Sequence, residues 1–565
     1  MNKQANGRTG RDGLPAGAWI RGAALLGGAA LLSKAIGTLQ KIPLQNVAGD
    51  RVFGLYSAVY PFYQLLLFLA AAGIPSAVSL LVAQRMERGD AEGGRRLARA
   101  AVIVLGLTGA GGFVAMWTGA ERAAAWIGDR AAAQAVKAAA AALWFMPVMA
   151  ALRGYFQGLH RMEPSAASQV VEQAVRVTAM LILLGIGWQA GWSDGSLAAG
   201  ATAGSAFGGA AGLAVMALWW RRERMKAVVV YRWGGSGRDG CIRSRAVERV
   251  GGLWPDMKLL AAVGLPAALG SVAVPVAGIV DAFTVPRLLA AQGASAADAM
   301  TAFGLYSRAQ PLVQLVVMVA GAVAGALVPA LAAALARGDL DAVRMQASLA
   351  VRTAWWTGAA AAVGLMLLAE PFNVALYADR QAGGTFAVVC GTAWAATVSA
   401  VSAAVLQGLG RAGLSAAMLL LGALLKAALN LALVPAFGIA GAAWAGVAAF
   451  TAAALLGAAA VRRAAGGAPR AMHALRFGAG IAVALACMAA ALLLAERGFA
   501  ALLGLAPPLP GRAAAAVLAL TGTAVGAAVF AAALLLAGGV GARELRALPG
   551  GGRLAARLRR WRLLP

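Results

Sequence analysis

The sequence predicts an all-α integral membrane protein with about 14 transmembrane helices, in which two pseudo-twofold lobes of six helices precede two C-terminal helices. Three observations predict this fold class. The chain is 61% hydrophobic and 13% charged, whereas soluble domains have about a quarter of their residues charged. Its long apolar segments alternate with short basic ones. One motif occurs twice, which indicates an internal duplication.

The duplicated motif reads FGLYSAVYPFYQL at residues 53–65 and FGLYSRAQPLVQL at residues 303–315. The same offset of 250 residues relates QGLHR at 157–161 to QGLGR at 407–411 and aligns Arg176 with Lys426. Two unrelated Ala- and Leu-rich segments would share Ala and Leu by chance. They would not share FGLYS and QGL motifs at one constant offset. Because each repeat has an even number of helices, both copies have the same orientation in the membrane.

A membrane span needs about 20 mainly apolar residues, which predicts the following boundaries. The N-lobe (19–220) has helices at 19–48, 53–84, 98–118, 136–158, 165–188 and 196–220. The C-lobe (257–461) has helices at 257–290, 301–334, 348–370, 384–408, 413–433 and 441–461. Helices 13 and 14, at 474–495 and 512–537, stand outside the repeat, and the N-terminus (1–18), the linker (221–256) and the basic tail (538–565) lie between and around these units.

The net charge of +27 is a topology signal rather than a sign of nucleic-acid binding. If the N-terminus is cytoplasmic, 36 of the 49 Lys and Arg residues fall in cytoplasmic segments and 8 in outside loops. This bias predicts a multi-pass protein of the bacterial cell membrane with both termini in the cytoplasm. The inner basic segments also predict attraction to anionic lipids, and the amphipathic tail is expected to lie on the inner membrane surface.

The sequence does not predict an enzyme or a metal site. The three cysteines, Cys241, Cys390 and Cys487, are far apart and form no metal-binding spacing. No nucleophile–base pair or cofactor motif is present. A glycine-rich piece of the linker, WGGSGRDG, follows no strand and is interpreted as flexible rather than phosphate-binding.

Seven ionisable side chains fall at membrane depth, where a charge usually faces a wet cavity or a partner. Five are cations and two are carboxylates, an excess of +3 that suits an anionic substrate such as a pyrophosphate headgroup. The predicted cavity residues are Lys34, Lys41, Glu172, Arg176, Asp281, Arg308 and Lys426.

Structural alternatives remain for several of these residues. Glu172 and Arg176 are four apart and pair with each other in the alternative reading. Lys34 and Lys41, two turns apart, are expected to share a face. Asp281 either balances a helix 1 lysine or carries a coupling proton.

Lys426 either lines the cavity or anchors the same position as Arg176 in the second lobe. Arg308 replaces Ala58 of the first motif copy, which suggests a cavity adapted to an asymmetric ligand. A coupling ion, H⁺ or Na⁺, is possible and no other cofactor is expected.

Prolines and glycines within the spans cluster in helices 1, 2, 7 and 8. Freed backbone groups are tolerated at membrane depth where they line a cavity. These helices are therefore predicted to form the gate and the cavity walls, with ordinary bending as the alternative. The predicted hinge residues are Pro43, Pro61, Pro75, Pro286 and Pro311.

Several segments carry a resemblance to a known family, among them RGYFQG at 153–158, VDAFTVP at 280–286 and YSRAQPLVQL at 306–315. Over residues 19–460 the chain resembles the polysaccharide-biosynthesis branch of the multidrug/oligosaccharidyl-lipid/polysaccharide exporter superfamily. Within it, the group of stage V sporulation protein B and YtgP, which is similar to the MurJ lipid II flippases, is nearest in appearance.

The resemblance implies 14 helices, a cationic central cavity and alternating-access movement of an undecaprenyl-pyrophosphate-linked glycan, typically lipid II, from the inner to the outer leaflet. It implies that helices 13 and 14 form a groove for the lipid tail and that cell-wall synthesis enzymes are partners. By position it assigns the first cavity cation to Lys34, the second less securely to Lys41, and group motifs to Asp281 and Arg308. A multidrug antiporter of the same superfamily and a non-transporting envelope-assembly scaffold are the alternatives.

Overall fold

The computed structural model describes residues 16–71, 73–233, 252–466, 471–505 and 511–537. The described residues form helices and no strands. Residues 1–15 of the predicted N-terminal segment, residues 234–251 of the predicted linker with Cys241, and the predicted tail 538–565 lie outside the described residues. The helices are α1 (Ala16–Leu39), α2 (Lys41–Ala71), α3 (Ile74–Glu87), α4 (Ala91–Thr118), α5 (Ala120–Ile127), α6 (Ala132–Ala140), a 3-10 helix (Ala141–Trp144), α7 (Met146–Gly158), α8 (Glu163–Gln189), α9 (Asp194–Trp233), α10 (Leu253–Ala291), α11 (Ala296–Ser307), α12 (Gln310–Ala336), α13 (Leu340–Leu367), α14 (Ala369–Tyr377), α15 (Gly383–Gly408), α16 (Ala412–Ala464), α17 (Ala471–Leu505) and α18 (Gly511–Leu536).

Within these ranges, nine helical stretches are long and apolar enough to cross a membrane, or ten if the bent pair α13 and α14 is one span. Two of the stretches, Leu25–Glu87 and Ala412–Ala464, have 63 and 53 residues, far more than the about 20 that one span needs. Each contains a glycine with non-helical backbone angles, Gly49 and Gly438. The protein is therefore a multi-pass, all-helical membrane protein, and the count of 14 spans stays a prediction.

The two glycines explain where the longest helices turn. Gly49 has φ 79° and Gly438 has φ 58°, a left-handed backbone that side chains with a Cβ rarely adopt. Gly49 divides the predicted helices 1 and 2, and Gly438 divides the predicted helices 11 and 12. A further interruption at Gln40, between α1 and α2, divides the predicted helix 1 itself.

The predicted hinge prolines have different local settings. Pro75 and Pro311 lie in the first turns of α3 and α12, where a missing N–H costs no helical hydrogen bond. Pro43 lies in the first turn of α2, just after the interruption at Gln40. Pro61 and Pro286 lie inside α2 and α10, which both continue past them. Their role as hinges is not tested by these contacts.

Helix breaks are not confined to the predicted gate helices 1, 2, 7 and 8. The predicted helix 4 (136–158) consists of α6, the 3-10 helix and α7, with Pro147 at the start of α7. The predicted helix 9 ends at α13, where the chain bends by 70° into α14. The predicted helices 2 and 8 are each divided, into α2 and α3 and into α11 and α12. Four further ends differ from the prediction by seven residues or more: α4 begins at Ala91, α13 begins at Leu340, α9 extends to Trp233 and α17 to Leu505.

The two copies of the duplicated motif lie against each other. A Cβ built on Gly54 would lie 2.3 Å from the backbone oxygen of Met300, and one on Gly304 would lie 2.0 Å from the backbone oxygen of Asp50. Gly54 and Gly304 are repeat mates, as are Asp50 and Met300. The contact is thus reciprocal, and it places the two motifs at a crossing of α2 with α11 that only glycines permit.

We call α1–α9 the first half and α10–α16 the second half. In the first half α8 packs on α9, α1 and α2, and in the second half α15 packs on α12, α13 and α16. Helix α10 lies between the halves, because it packs on α2, α3 and α4 as well as on α16. Helices α17 and α18 pack on each other and on α13 and α14.

The two ends of α10 differ in the half that they contact through charged or polar side chains. Near its start, the buried carboxylate of Asp256 accepts hydrogen bonds from Arg85 at 2.6 Å and Arg96 at 2.9 Å, both in the first half. Further along, Asp281 pairs with Lys426 of the second half. We call the end of the molecule that contains Asp256 and its two arginines the Asp256 end. The end that contains the turn of α2 at Gly49 is called the Gly49 end.

Candidate functional site

Two buried cations of the first half converge on one tyrosine ring. The ammonium of Lys41 lies 5.5 Å from the centre of the Tyr60 ring, and the guanidinium carbon of Arg176 lies 5.4 Å from it. Lys41 and Arg176 are 7% and 6% exposed. A cation near an aromatic face is stabilised by the ring's quadrupole, so Tyr60 holds together two charges that would otherwise repel. We call Lys41, Arg176 and Tyr60 the cation–tyrosine cluster.

Hydrogen bonds to a second tyrosine support this cluster. The hydroxyl of Tyr56 accepts from Arg176 Nη2 at 3.3 Å and from Gln40 Nε2 at 3.1 Å. The rings of Tyr56 and Tyr60 stack, with their centres 5.8 Å apart. Two buried polar atoms beside them, Gln40 Oε1 and the Tyr63 hydroxyl, have no protein partner among the described residues. Buried polar groups normally have partners, so these atoms mark a place for a polar ligand or water.

The alternative reading, in which Glu172 pairs with Arg176 on the same helix, is wrong. Glu172 instead accepts a hydrogen bond from Arg153 Nη2 at 2.9 Å, and the same guanidinium donates to the Ser168 hydroxyl. Arg153 lies on α7, which brings it alongside α8. In the described part of the chain, neither Lys41 nor Arg176 makes an ion pair with a carboxylate.

Lys34 does not share the buried environment of Lys41. The side chain of Lys34 is exposed, whereas Lys41 is buried. The two lysines lie on different helices, because α1 ends at Leu39 and α2 begins at Lys41. The hydroxyl of Thr38 donates to the backbone carbonyl of Lys34 at 2.8 Å.

In the second half, Lys426 is enclosed by its own counter-charge. Its ammonium makes an ion pair with Asp281 and donates to the Tyr306 hydroxyl at 3.3 Å. The Tyr306 hydroxyl in turn donates to Asp281 at 2.9 Å, and Asn430 Nδ2 donates to the same carboxylate at 3.2 Å. Lys426 is 3% exposed. Asp281 therefore balances Lys426 and not a lysine of helix 1.

Arg308 is enclosed as well, although it was predicted to face the cavity. It is 1% exposed and binds Asp50 through two hydrogen bonds, at 2.7 and 2.5 Å, and Asp379 at 2.9 Å. The Tyr377 hydroxyl donates to the backbone carbonyl of Arg308 at 2.7 Å. Because Asp50 belongs to the first half and Asp379 to the second, Arg308 joins the halves at the Gly49 end.

Of the two acids that bind Arg308, Asp379 lies in a loop, the one between α14 and α15. Its partial burial acts to raise the pKa of the carboxyl, but hydrogen bonds from the Gln381 N–H and from Arg308 outweigh this effect. The pKa of Asp379 is consequently held below its ordinary value of 3.8. The carboxylate is charged at neutral pH, as the contact with Arg308 requires.

The predicted excess of +3 is thus wrong as a description of free charge. It omitted Asp50, Asp379 and Arg153, which all pair with residues of the predicted set. Once the pairs are formed, the buried cations that lack a carboxylate partner in the described ranges are Lys41 and Arg176.

Sequence reasoning missed the role of the tyrosines and of the loop acids. A usable signal was present for the tyrosines, because Tyr56, Tyr60 and Tyr63 follow helical spacing in the first motif copy. The second copy has Tyr306, Gln310 and Val313 at those positions. Asp50 and Asp379 gave no such signal, because acids in predicted loops are expected to be solvated.

A separate cavity of about 340 Å³ lies between α12, α13 and α15. Its lining is apolar except for Thr353 and Thr357, so it does not suit a charged headgroup. Within the described ranges, no group of three or more His, Cys, Asp or Glu residues is arranged to hold a metal ion.

Comparison with known proteins agrees with this architecture. The chain is 30% identical over 435 residues to the membrane protein YabM of Bacillus subtilis, covering 77% of this chain and 78% of YabM. It is 24% identical over 437 residues to the lipid II flippase MurJ of the same organism, covering 74% and 77% of the two chains.

Solved structures show the same fold at low identity. A structure of the lipid II flippase MurJ in an inward closed conformation superimposes with a TM-score of 0.61 at 11% identity, over 90% of this chain and 98% of that one. An inward-facing multidrug resistance MATE family transporter of the MOP superfamily gives a TM-score of 0.58 at 15% identity, over 77% and 94%. The family model described as polysaccharide biosynthesis protein matches residues 19–335, and the chain therefore belongs to the polysaccharide biosynthesis protein family.

Proposed function

We propose that the protein is a flippase for a lipid-linked glycan. In this proposal it moves an undecaprenyl-pyrophosphate-linked glycan such as lipid II from the inner to the outer leaflet by alternating access, for cell-wall or spore-cortex peptidoglycan synthesis. The similarity to MurJ in sequence over most of both chains, and in fold, supports this class of function.

The observation that carries the proposal is the cation–tyrosine cluster. Lys41 and Arg176 are buried, face the same ring and have no carboxylate partner in the described part of the chain. Keeping two such charges unpaired is costly in a membrane protein unless an anion joins them. A phosphate group supplies both the negative charge and acceptors for a guanidinium and an ammonium.

The remaining topology is part of the same proposal. The 14 helices comprise two lobes, 19–220 and 257–461, with helices 13 and 14 within 474–537, and both termini are cytoplasmic. This orientation places the Asp256 end in the cytoplasm and the Gly49 end outside. The prolines Pro43, Pro61, Pro75, Pro286 and Pro311 serve as hinges when the halves move.

The test is a leaflet-accessibility assay for lipid II in cells depleted of their own flippase. We expect Arg176→Gln and Lys41→Gln to lose transport and complementation. Loss of one charged hydrogen bond costs about 1.5–3 kcal/mol, which is a roughly 10- to 150-fold reduction in affinity. Lys137→Gln is the matched control, because Lys137 is a partly exposed cation of the same half that pairs with Glu121.

Membrane levels of each variant are measured by immunoblot, so that loss of transport is separated from loss of protein. Full transport by both cluster variants would refute the assignment of the headgroup site. A multidrug antiporter is the second candidate, because the chain shares its fold with a MATE transporter. Drug efflux by the expressed protein, abolished by Asp281→Asn, would favour that function.

A further inference from the structure

The duplication placed the same pair of side chains in both halves. Arg176 donates to the Tyr56 hydroxyl at 3.3 Å, and Lys426 donates to the Tyr306 hydroxyl at 3.3 Å. The members of each pair are 120 residues apart, and the two pairs are related by the offset of 250 residues. The fold therefore contains two equivalent pairs of a cation with a tyrosine hydroxyl: Arg176 of α8 with Tyr56, and Lys426 of α16 with Tyr306.

The two positions differ in what surrounds the cation. Around Lys426 stand Asp281 and Asn430, both buried and both hydrogen-bonded within the group. The offset of 250 residues relates Asn430 to Met180, and the offset of 244 residues between the turn glycines Gly293 and Gly49 relates Asp281 to Gly37. Neither Met180 nor Gly37 has a charge or a side-chain amide. The first half therefore offers no internal acid at the place where Asp281 stands.

We infer that only the first half binds the substrate's phosphate groups, because Asp281 occupies at Lys426 the place that a phosphate takes at Arg176. The position of Lys426 in the second half is an equivalent anion site whose cation is already neutralised by Asp281. This inference rests on the proposed function, in which the cation–tyrosine cluster holds an anionic headgroup, and it adds which of the two repeat-related cations does so.

The donors available at each cation support this assignment. An ammonium has three N–H donors; two of those of Lys426 serve Asp281 and Tyr306, and the Phe450 ring lies 5.4 Å from the ammonium. A phosphate at Lys426 would have to displace a buried carboxylate or lie beside it, which like-charge repulsion opposes. A guanidinium has five donors, and the hydrogen bond of Arg176 to Tyr56 uses one of them.

The first part of the test measures binding by the purified full chain in detergent. The probes are inorganic pyrophosphate and geranyl pyrophosphate, which separate recognition of the free anion from recognition of a lipid-attached one. We expect about one probe per chain. Arg176→Gln should weaken binding by tenfold or more, as loss of one charge-assisted hydrogen bond of about 1.5–3 kcal/mol predicts. Lys426→Gln should leave the dissociation constant unchanged within error.

The second part creates the missing site. In the Arg176→Gln background, the additional change Asp281→Asn frees the ammonium of Lys426, and we expect probe binding to return. Binding that stays absent, in a variant that elutes as one peak and melts cooperatively, would overturn the inference. So would equal weakening by Arg176→Gln and Lys426→Gln.

A third variant covers the case in which Asp281→Asn does not fold. Asp281→Leu with Lys426→Met replaces the buried pair by apolar side chains, a change that is often neutral for stability. Normal probe affinity in this variant supports the inference, and lost affinity overturns it. Failure of the proposed function has another signature: the wild-type chain would then bind neither probe, or would bind them without any effect of Arg176→Gln.

Discussion

Replacement of Asp50 by Asn is expected to loosen the contact between the two halves at the Gly49 end. Asp50 accepts two hydrogen bonds from the Arg308 guanidinium, at 2.7 and 2.5 Å. The change removes the charge of the only carboxylate that reaches Arg308 from the first half within the described ranges. Arg308 keeps Asp379 at 2.9 Å, so it is not left as an unpaired buried charge.

The size of the effect follows from that remaining partner. Removing one partner of a buried ion pair lowers stability by about 3–5 kcal/mol when the other charge is left without a partner. Here the appropriate figure is that of charged hydrogen bonds, about 1.5–3 kcal/mol. If the contact exists only while the halves touch at this end, the equilibrium between joined and separated states shifts by roughly 10- to 150-fold.

The assay is the distance between spin labels on the two halves, in a chain whose native cysteines have been replaced. Ala190 in the first half and Gly384 in the second half are exposed positions. Neither is a partner of Arg308, which binds Asp50 and Asp379. We expect the Asp50→Asn chain to show a broader distribution with a longer-distance population. The matched control is Asp379→Asn, which removes a carboxylate from the same guanidinium but no link between the halves. Identical distributions for the two variants would refute the reasoning.

Two further predictions concern the same end of the molecule. Gly54→Ala brings a Cβ to 2.3 Å from the Met300 carbonyl oxygen and should lower stability by about 1–3 kcal/mol or more, seen as a lower melting temperature. Gly321→Ala, which meets no atom within 4 Å, should not, and equal melting temperatures would contradict the crossing. Because the pKa of Asp379 is lowered, its contribution is complete above pH 3.8 and is lost as pH falls through the lowered value. The difference in melting temperature between the wild-type chain and Asp379→Asn should therefore be constant from neutral pH to about pH 4, and a difference that is lost near pH 6 would contradict that assignment.

Much of the helix pattern is predictable because span length and the repeat are properties of local sequence. The apolar segment after Glu163 fixes α8 without knowledge of its neighbours, and the one before Gly158 gives the end of α7 but not its start at Met146. The register of the duplication also identifies Gly54 and Gly304 as repeat mates, although their close contact is seen only in the structure. These features need only the thickness of a membrane and the equivalence of two copies.

The charge pairing is not predictable in the same way. Arg308 meets Asp50 and Asp379 because three segments that are distant in sequence converge, and no local pattern announces that meeting. The different burial of Lys34 and Lys41 was not predictable either, because no sequence signal shows that α1 ends at Leu39 and that only Lys41 is buried. Counting charges at membrane depth therefore identified the cations but not which of them are already neutralised.

Helix α10 is attached to a different half at each of its charged positions. Asp256 is held by Arg85 and Arg96 of the first half, while Asp281 is held by Lys426 of the second. A motion that parts the halves must break the contacts of Asp256, break the pair of Asp281 with Lys426, or bend α10 between these positions. Only bending keeps every one of these buried ion pairs, so a stiff α10 opposes separation of the halves.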